Sequence, residues 1–170
     1  MEWSNNQLKG EIIENSYFDM HDLVHKQIEL FEMQAFEKQI VLKNEIPIGT
    51  LLFADKNMID IIMRNFVSNA IKFCNESGNV IISSKRQEDS VEISVQDEGV
   101  GIPVENLEKI FQEKGRFTTL GTNKEQGTGI GLMLCKTFVG KQNGRIGVES
   151  KENEGSRFWF TIPISNQHLK

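Results

Sequence analysis

Asn65-Phe66-Val67-Ser68-Asn69-Ala70-Ile71-Lys72-Phe73 decides the reading of this chain. On a helix, Asn65, Asn69 and Lys72 fall at i, i+4 and i+7 and share one face. Beside them Ile59, Ile62, Phe66, Ala70 and Phe73 form an apolar stripe that must face a core. Asparagine is a mediocre helix former and costs free energy when desolvated without partners. Two stacked asparagines bordering a core stripe therefore want ligands of their own. An amide oxygen is a hard, neutral ligand suited to Mg²⁺, and a nearby lysine suits a phosphate. The competing reading is a polar helix face in plain solvent.

Working outward, Leu51–Ala54 reads as a short strand, and Asp55 caps the helix that runs from Lys56 to about Phe73. Upstream, Asp22 to Lys38 has helical apolar spacing, and Ile40–Ile46 is strand-like before Pro47 and Gly49 turn the chain. Residues 1–16 are polar and read as a linker or a frayed helix end. Downstream, Ser77-Gly78-Asn79 breaks the helix, and strands follow at about Val80–Arg86 and Val91–Gln96. Asp97 to Gly127 is an irregular stretch with a short helix near Val104–Phe111, of a length that reads as a functional lid or as disorder. Gly129–Gln142 reads as a helix stopped by Asn143-Gly144, and Arg145–Ser150 with Ser156–Ile164 as a closing hairpin. The order implies an α+β fold: a two-layer α/β sandwich with a mixed, mostly antiparallel sheet under about three helices.

Two further patterns carry chemistry. Val91, Ile93 and Val95 alternate toward one face, and Asp97 of Asp97-Glu98-Gly99-Val100-Gly101 continues that parity. A carboxylate thus arrives where the next core residue is due and wants a donor, for which the exocyclic amine of a purine is one candidate. Gly99 and Gly101 let a ligand approach the backbone. The alternative is a turn acid whose strand ended one residue early. Gly127-Thr128-Gly129-Ile130-Gly131-Leu132 opens a helix, and glycine amides there form an anion cradle. It is not a P-loop, since Gly140-Lys141 is followed by Gln142, and no strand precedes it as a dinucleotide fingerprint requires. Lys114, Arg116 and Lys124 in the preceding loop are within reach of phosphates, or simply solvated.

Composition removes other classes. The chain has 170 residues, 38% hydrophobic and 25% charged, with formal charge −5. That suits one globular domain with an appendage and disfavours nucleic acid as a partner. No run approaches the roughly 18 apolar residues of a membrane span. Met1-Glu2-Trp3-Ser4-Asn5-Asn6 lacks the basic start of a signal peptide. Cys74 and Cys135 form no CxxC pair, so neither a disulfide framework nor a zinc site is expected, and a reducing cytoplasm is the default.

Taken in order, these motifs resemble the catalytic and ATP-binding domain of bacterial sensor histidine kinases, in the GHKL family shared with gyrase, the Hsp90 chaperones and MutL. Asn65–Phe73 resembles the N box, Asp97–Ile102 the G1 box, Phe111–Phe117 the F box and Gly127–Leu132 the G2 box; Gly155-Ser156 resembles the last glycine motif. The resemblance implies a Bergerat fold over residues 17–170, with residues 1–16 the end of a dimerisation helix or a linker. It implies ATP and Mg²⁺: Asn69 and Asn65 at the metal, Asn65 also in catalysis, Lys72 on phosphate, and Phe73 on adenine. Asp97 would accept from adenine N6, with Gly99, Gly101 and Ile102 beside the ring. Residues 103–126 would form a lid carrying Phe117, Arg116 near the γ-phosphate and Lys114 in reserve. Gly127, Thr128, Gly129, Ile130, Gly131 and Leu132 would meet the phosphates, and Thr161 completes the expected site.

The resemblance also implies a partner. A complete kinase carries its phosphorylated histidine on an upstream dimerisation domain, and none of His21, His25 or His168 sits in such a motif. His21-Asp22-Leu23 mimics it locally but lacks the proline-containing continuation. The expected activity is transfer of the γ-phosphoryl group to a histidine outside this sequence, and then, indirectly, to a response-regulator receiver domain. An ATP-hydrolysing module of the chaperone or topoisomerase kind is the alternative within enzymes. It is disfavoured because those relatives carry a glutamate at the position of Asn65, and an amide cannot act as that base. A non-catalytic nucleotide-binding or docking domain is the alternative outside enzymes.

Overall fold

The structure is a computed structural model that describes residues 12–112, 120–125 and 129–164. Its elements are β1 (Asn15–Asp19), α1 (Met20–Glu37), β2 (Val41–Asn44), β3 (Leu51–Asp55), α2 (Lys56–Phe73), β4 (Asn79–Arg86), β5 (Ser90–Asp97), α3 (Val104–Leu107), α4 (Gly131–Lys141), β6 (Ile146–Ser150) and β7 (Ser156–Pro163). Five strands form a sheet ordered β2-β4-β5-β7-β6, in which β2 and β4 are parallel and every other pair antiparallel. β1 and β3 form a separate antiparallel pair.

The core follows from strand alternation. Val80 and Ile82, Val91, Ile93 and Val95, and Phe158, Phe160 and Ile162 are the buried apolar residues of three neighbouring strands. They lie in register, with Ile93 opposite Phe160 and Val95 opposite Phe158. Onto this face α2 lays Ile59, Ile62, Met63, Phe66 and Val67, all essentially inaccessible to solvent. The Phe66 ring stands 5.6 Å from that of Phe158 and 5.8 Å from that of Phe160, at tilted and edge-on angles that aromatic rings favour. Cys135, Phe138 and Val139 of α4 and Leu23, Val24 and Phe31 of α1 complete the helical layer. Asp55 caps α2 as expected, its Oδ1 accepting from the amides of Asn57 and Met58 at 3.1 and 3.2 Å.

Four expectations need correcting. Asn15 and Ser16, read as linker, belong to β1 and pair with Asp55 and Ala54. That strand buries only Phe18, so no alternation announces it. The short helix expected near Val104–Phe111 is a single turn, Val104–Leu107, with no buried residue of its own and no side-chain cap. Phe73, assigned to the core stripe, is only half-buried at the end of α2. Thr161, finally, sits on the opposite side of β7 from Phe158, Phe160 and Ile162, where its Oγ1 accepts from the Arg145 amide at 2.9 Å.

Candidate functional site

One end of the helix–sheet interface opens into a cavity of about 560 Å³, within the usual range for small-molecule sites. Asn65, Ser68, Asn69, Lys72 and Phe73 of α2 form one wall. Asp97 and the turn Val100–Pro103 form another, and Gly129, Gly131 and Leu132 close a third. Asn65, Asn69 and Lys72 thus share a face, as their spacing predicts, and that face is a cavity wall rather than open solvent.

Asp97 is 4% exposed at the end of β5, opposite Ser156 of β7 and Val80 of β4. Its Oδ1 is buried without a hydrogen-bond partner. Burial pushes its pKa up to about 7, against the pull of the Ser156 and Gly99 amides toward the charged form. An orphaned carboxylate oxygen at a cavity wall is a receptor waiting for a donor. The next residue is different: the Glu98 carboxylate is fully exposed, accepts from the amide and side chain of Asn79 at 2.8 and 3.0 Å, and has its pKa lowered by those bonds.

The glycines after Asp97 are there for clearance. A Cβ on Gly99 would lie 2.2 Å from the Phe73 carbonyl oxygen and 2.5 Å from Asp97 Oδ1. Gly101 has φ +68°, and a Cβ on it would lie 2.0 Å from the Lys151 carbonyl oxygen. The turn is held from the hairpin side. The Ile102 amide donates to Ser150 Oγ at 2.8 Å, Ser150 and Ser156 share a 2.7 Å hydroxyl contact, and the Asn153 amide donates to the Val100 carbonyl.

On the helical wall the Asn65 Nδ2 donates to the Ile61 carbonyl at 2.9 Å, which leaves Oδ1 as the free end of the amide. That oxygen faces the start of α4, where a Cβ on Gly131 would approach it to 2.3 Å. Lys72 Nζ stands 5.1 Å from the Phe73 ring centroid, and burial lowers its pKa while Glu125 counteracts that. Gly129 adopts φ +74°, and α4 begins two residues later at Gly131, so that the helix start lines the same space.

Several expected residues lie elsewhere. Gly99 and Ile130 do not line the cavity, and Thr161 is on the wrong face of its strand, whereas Ser156, five residues earlier, lines it with Asp97. Lys114, Arg116, Phe117, Gly127 and Thr128 lie outside the described residues. Ser68, Asn106, Ile110, Leu120, Glu152, Asn153 and Phe158 line the cavity without having been anticipated. Of these, Ser68, at i+3 from Asn65, and Phe158, on the alternating apolar face of β7, had a periodic signal to find them.

The resident polar groups form a donor-seeking acid, carbonyl-type amide oxygens, a lysine and helix-start amides around a partly apolar chamber. That set suits a purine carrying an anionic, metal-bearing tail. Residues 54–166 match the family described as histidine kinase-, DNA gyrase B-, and HSP90-like ATPase. The chain is 31% identical over 159 residues to the adaptive-response sensory kinase SasA of Synechocystis, covering 88% of this chain and 41% of SasA. It therefore spans less than half of the curated relatives it matches. The catalytic domain of histidine kinase ThkA superposes with a TM-score of 0.76 at 32% identity, covering 88% of this chain and 95% of that one. ThkA in complex with the response regulator protein TrrA matches at 0.74 and 28% identity, over 94% of this chain and 45% of that one. Full-length ShkA in complex with AMPPNP matches at 0.78 and 28% identity, over 94% of this chain and 34% of that one. With helix, strand-end acid and glycine turn all in place, the chain belongs to the histidine kinase-, DNA gyrase B- and HSP90-like ATPase family, in its histidine-kinase catalytic-domain branch.

Proposed function

We propose that this chain binds MgATP in the cavity and transfers the γ-phosphoryl group to a histidine on a dimerisation domain outside it, in two-component signalling. The observation that carries the reading is the buried Asp97 Oδ1, without a partner, in a cavity whose helical wall holds Asn65, Asn69 and Lys72. Asp97 would accept from the adenine amine, with Gly101 and Ile102 beside the ring and Phe73 against it. Asn69 and Asn65 would turn their amide oxygens to magnesium, and Lys72 would neutralise phosphate charge. The amides of Gly129, Gly131 and neighbouring residues would cradle phosphate oxygens at the start of α4. Bound magnesium would draw negative charge from the phosphate oxygens. In the loop, Arg116 is the cation proposed for the γ-phosphate, with Lys114 in reserve and Phe117 among the ATP-binding residues.

The chemistry of Asn65 also bears on the reaction. Asn65 is an amide whose Nδ2 is already committed to Ile61. It can hold a ligand but cannot take a proton from water. The domain's task is then positioning and charge neutralisation, the main contributions to phosphoryl transfer. The acceptor histidine comes from the dimerisation domain, and a receiver domain follows in turn, as the ThkA complex with its response regulator suggests. Residues 1–14 are assigned to the connection with that domain, and the cytoplasm is the proposed compartment.

The test mixes this chain with a histidine-bearing dimerisation segment, magnesium and γ-labelled ATP. Acid-labile, base-stable label on the segment supports the reading. Free phosphate alone would indicate a hydrolase, and binding without turnover a sensing or docking domain.

A further inference from the structure

Lys38 follows α1 and is 4% exposed, an uncommon burial for a lysine. Its Nζ, with three protons to share, lies within hydrogen-bonding distance of the carbonyls of Ile71 at 2.8 Å and Lys72 at 3.0 Å, of Thr122 Oγ1, and of Glu125 Oε1 at 3.2 Å. The first two acceptors are last-turn carbonyls of α2, which have no partner within the helix and carry its negative end. The other two belong to the segment 120–125, more than 80 residues away in sequence. A single ammonium therefore joins the end of the site helix to a piece of the long connection between Asp97 and α4.

That piece is built around the same point. The Thr122 amide donates to the Lys72 carbonyl at 3.0 Å, and its hydroxyl also reaches the Cys74 carbonyl at 3.1 Å. Glu125 Oε2 accepts from the Asn123 amide at 2.9 Å, and the Gly121 amide donates to the Glu125 carbonyl at 3.0 Å. Gly121 packs so tightly that a Cβ on it would lie 2.5 Å from Lys72 Cγ and 2.3 Å from Glu125 Oε2. Leu120, directly before it, lines the cavity. Glu125 also acts electrostatically on Lys72, so the carboxylate stands between two lysines, one buried under it and one facing the cavity.

We propose that Lys38 is a positioning residue of the site: it holds the segment 120–125 on the end of α2 and occupies Glu125, which leaves the Lys72 ammonium available to the phosphates of a nucleotide. Lys38 touches neither the cavity nor any ligand in it and acts through Glu125, Thr122 and Lys72. With Lys38 gone, Glu125 loses its buried counter-ion and turns on Lys72, competing with phosphate. The inference rests on the nucleotide reading above and names a residue that supports it from outside the cavity.

The test measures AMPPNP and adenosine binding to the 170-residue chain by calorimetry, with magnesium present. Lys38→Met should weaken AMPPNP by about tenfold, the scale of one charge interaction in a partly buried setting, and adenosine by less than about twofold, since adenosine has no phosphate. Adding Glu125→Gln to Lys38→Met should restore AMPPNP affinity to within about threefold of wild type. A role limited to stability would lower the melting temperature without separating the two ligands and without rescue. Lys38→Gln, which keeps a donor in the buried position but removes the charge that occupies Glu125, should reproduce the selective AMPPNP loss, and so decides the matter if Lys38→Met does not fold. Equal loss for both ligands, or unchanged AMPPNP binding in the folded variants, overturns the proposal. A wild-type chain that binds neither ligand overturns the nucleotide reading and this inference with it.

Discussion

Asp97→Asn should make the protein more stable at neutral pH and worse at binding a nucleotide, two effects that a purely structural acid would not combine. Folding raises the Asp97 pKa from the ordinary 3.8 to about 7, chiefly by desolvation. The folded state therefore favours the neutral acid. Stability from binding that proton is fully present below about pH 4, is drawn down as pH rises, and is gone by about pH 7. At about 1.4 kcal/mol per pH unit, the interval between 3.8 and about 7 is worth about 4 kcal/mol. Asp97 is 4% exposed, so solvent screening takes little from that figure. Asparagine never ionises. Its buried NH₂ adds a cost of about 1–3 kcal/mol, but that cost is the same at every pH.

The quantity to measure is the difference in unfolding free energy between D97N and wild type, from urea titrations at one-unit steps from pH 4 to pH 8. It should move in favour of D97N by about 2–4 kcal/mol across that range, and flatten above about pH 7. Every other titrating group is common to both proteins and cancels. AMPPNP affinity at pH 8 should fall in D97N by about 5- to 150-fold, equivalent to about 1–3 kcal/mol for a charge-assisted hydrogen bond. Wild-type affinity should itself decline below about pH 7 as the carboxylate protonates. Parallel stability curves would refute the raised pKa. Undiminished AMPPNP binding by D97N would remove Asp97 from the site.

Asn69→Ala should weaken AMPPNP binding more with magnesium present than with EDTA; equal losses in the two titrations would contradict a metal contact for Asn69. Gly101→Ala should lower the unfolding free energy by about 1–3 kcal/mol in urea, since its φ of +68° and the Lys151 carbonyl both reject a side chain. An unchanged transition midpoint would show that the turn reshapes freely.

Alternation and helical spacing were enough to read the parts of the site that lie on regular elements. Asp97 was legible because β5 keeps strict period two up to its last residue, and the Asn65–Lys72 face because α2 runs unbroken past it. The same alternation, applied to β7, places Ser156 with Phe158 and Phe160 and excludes Thr161. β1 was illegible for the opposite reason: of Asn15-Ser16-Tyr17-Phe18-Asp19 only Phe18 is buried, and its partner strand begins more than 30 residues later. Lys38 was illegible in another way. A lysine at a helix end normally reads as a solvated cation, and nothing local shows that Ile71, Lys72, Thr122 and Glu125 converge on it.

The glycine-spaced start of α4 shows why one motif can encode several demands. Gly129 is required by its backbone, since φ +74° is strained for a residue with a Cβ. Gly131 is required by clearance, since its missing side chain is what lets Asn65 Oδ1 approach within 2.3 Å of the position a Cβ would take. The Asn65 amide is in turn oriented by the Ile61 carbonyl one turn earlier on a helix whose other face is fixed by Phe66 against Phe158 and Phe160. Packing in the core thus sets the direction of the amide, and the amide sets how small the residue opposite must be. The anion-binding role proposed for the α4 start and the steric fit of α4 on α2 therefore ask for the same residue. A substitution at Gly131 would disturb Asn65 even in a protein that never met a phosphate.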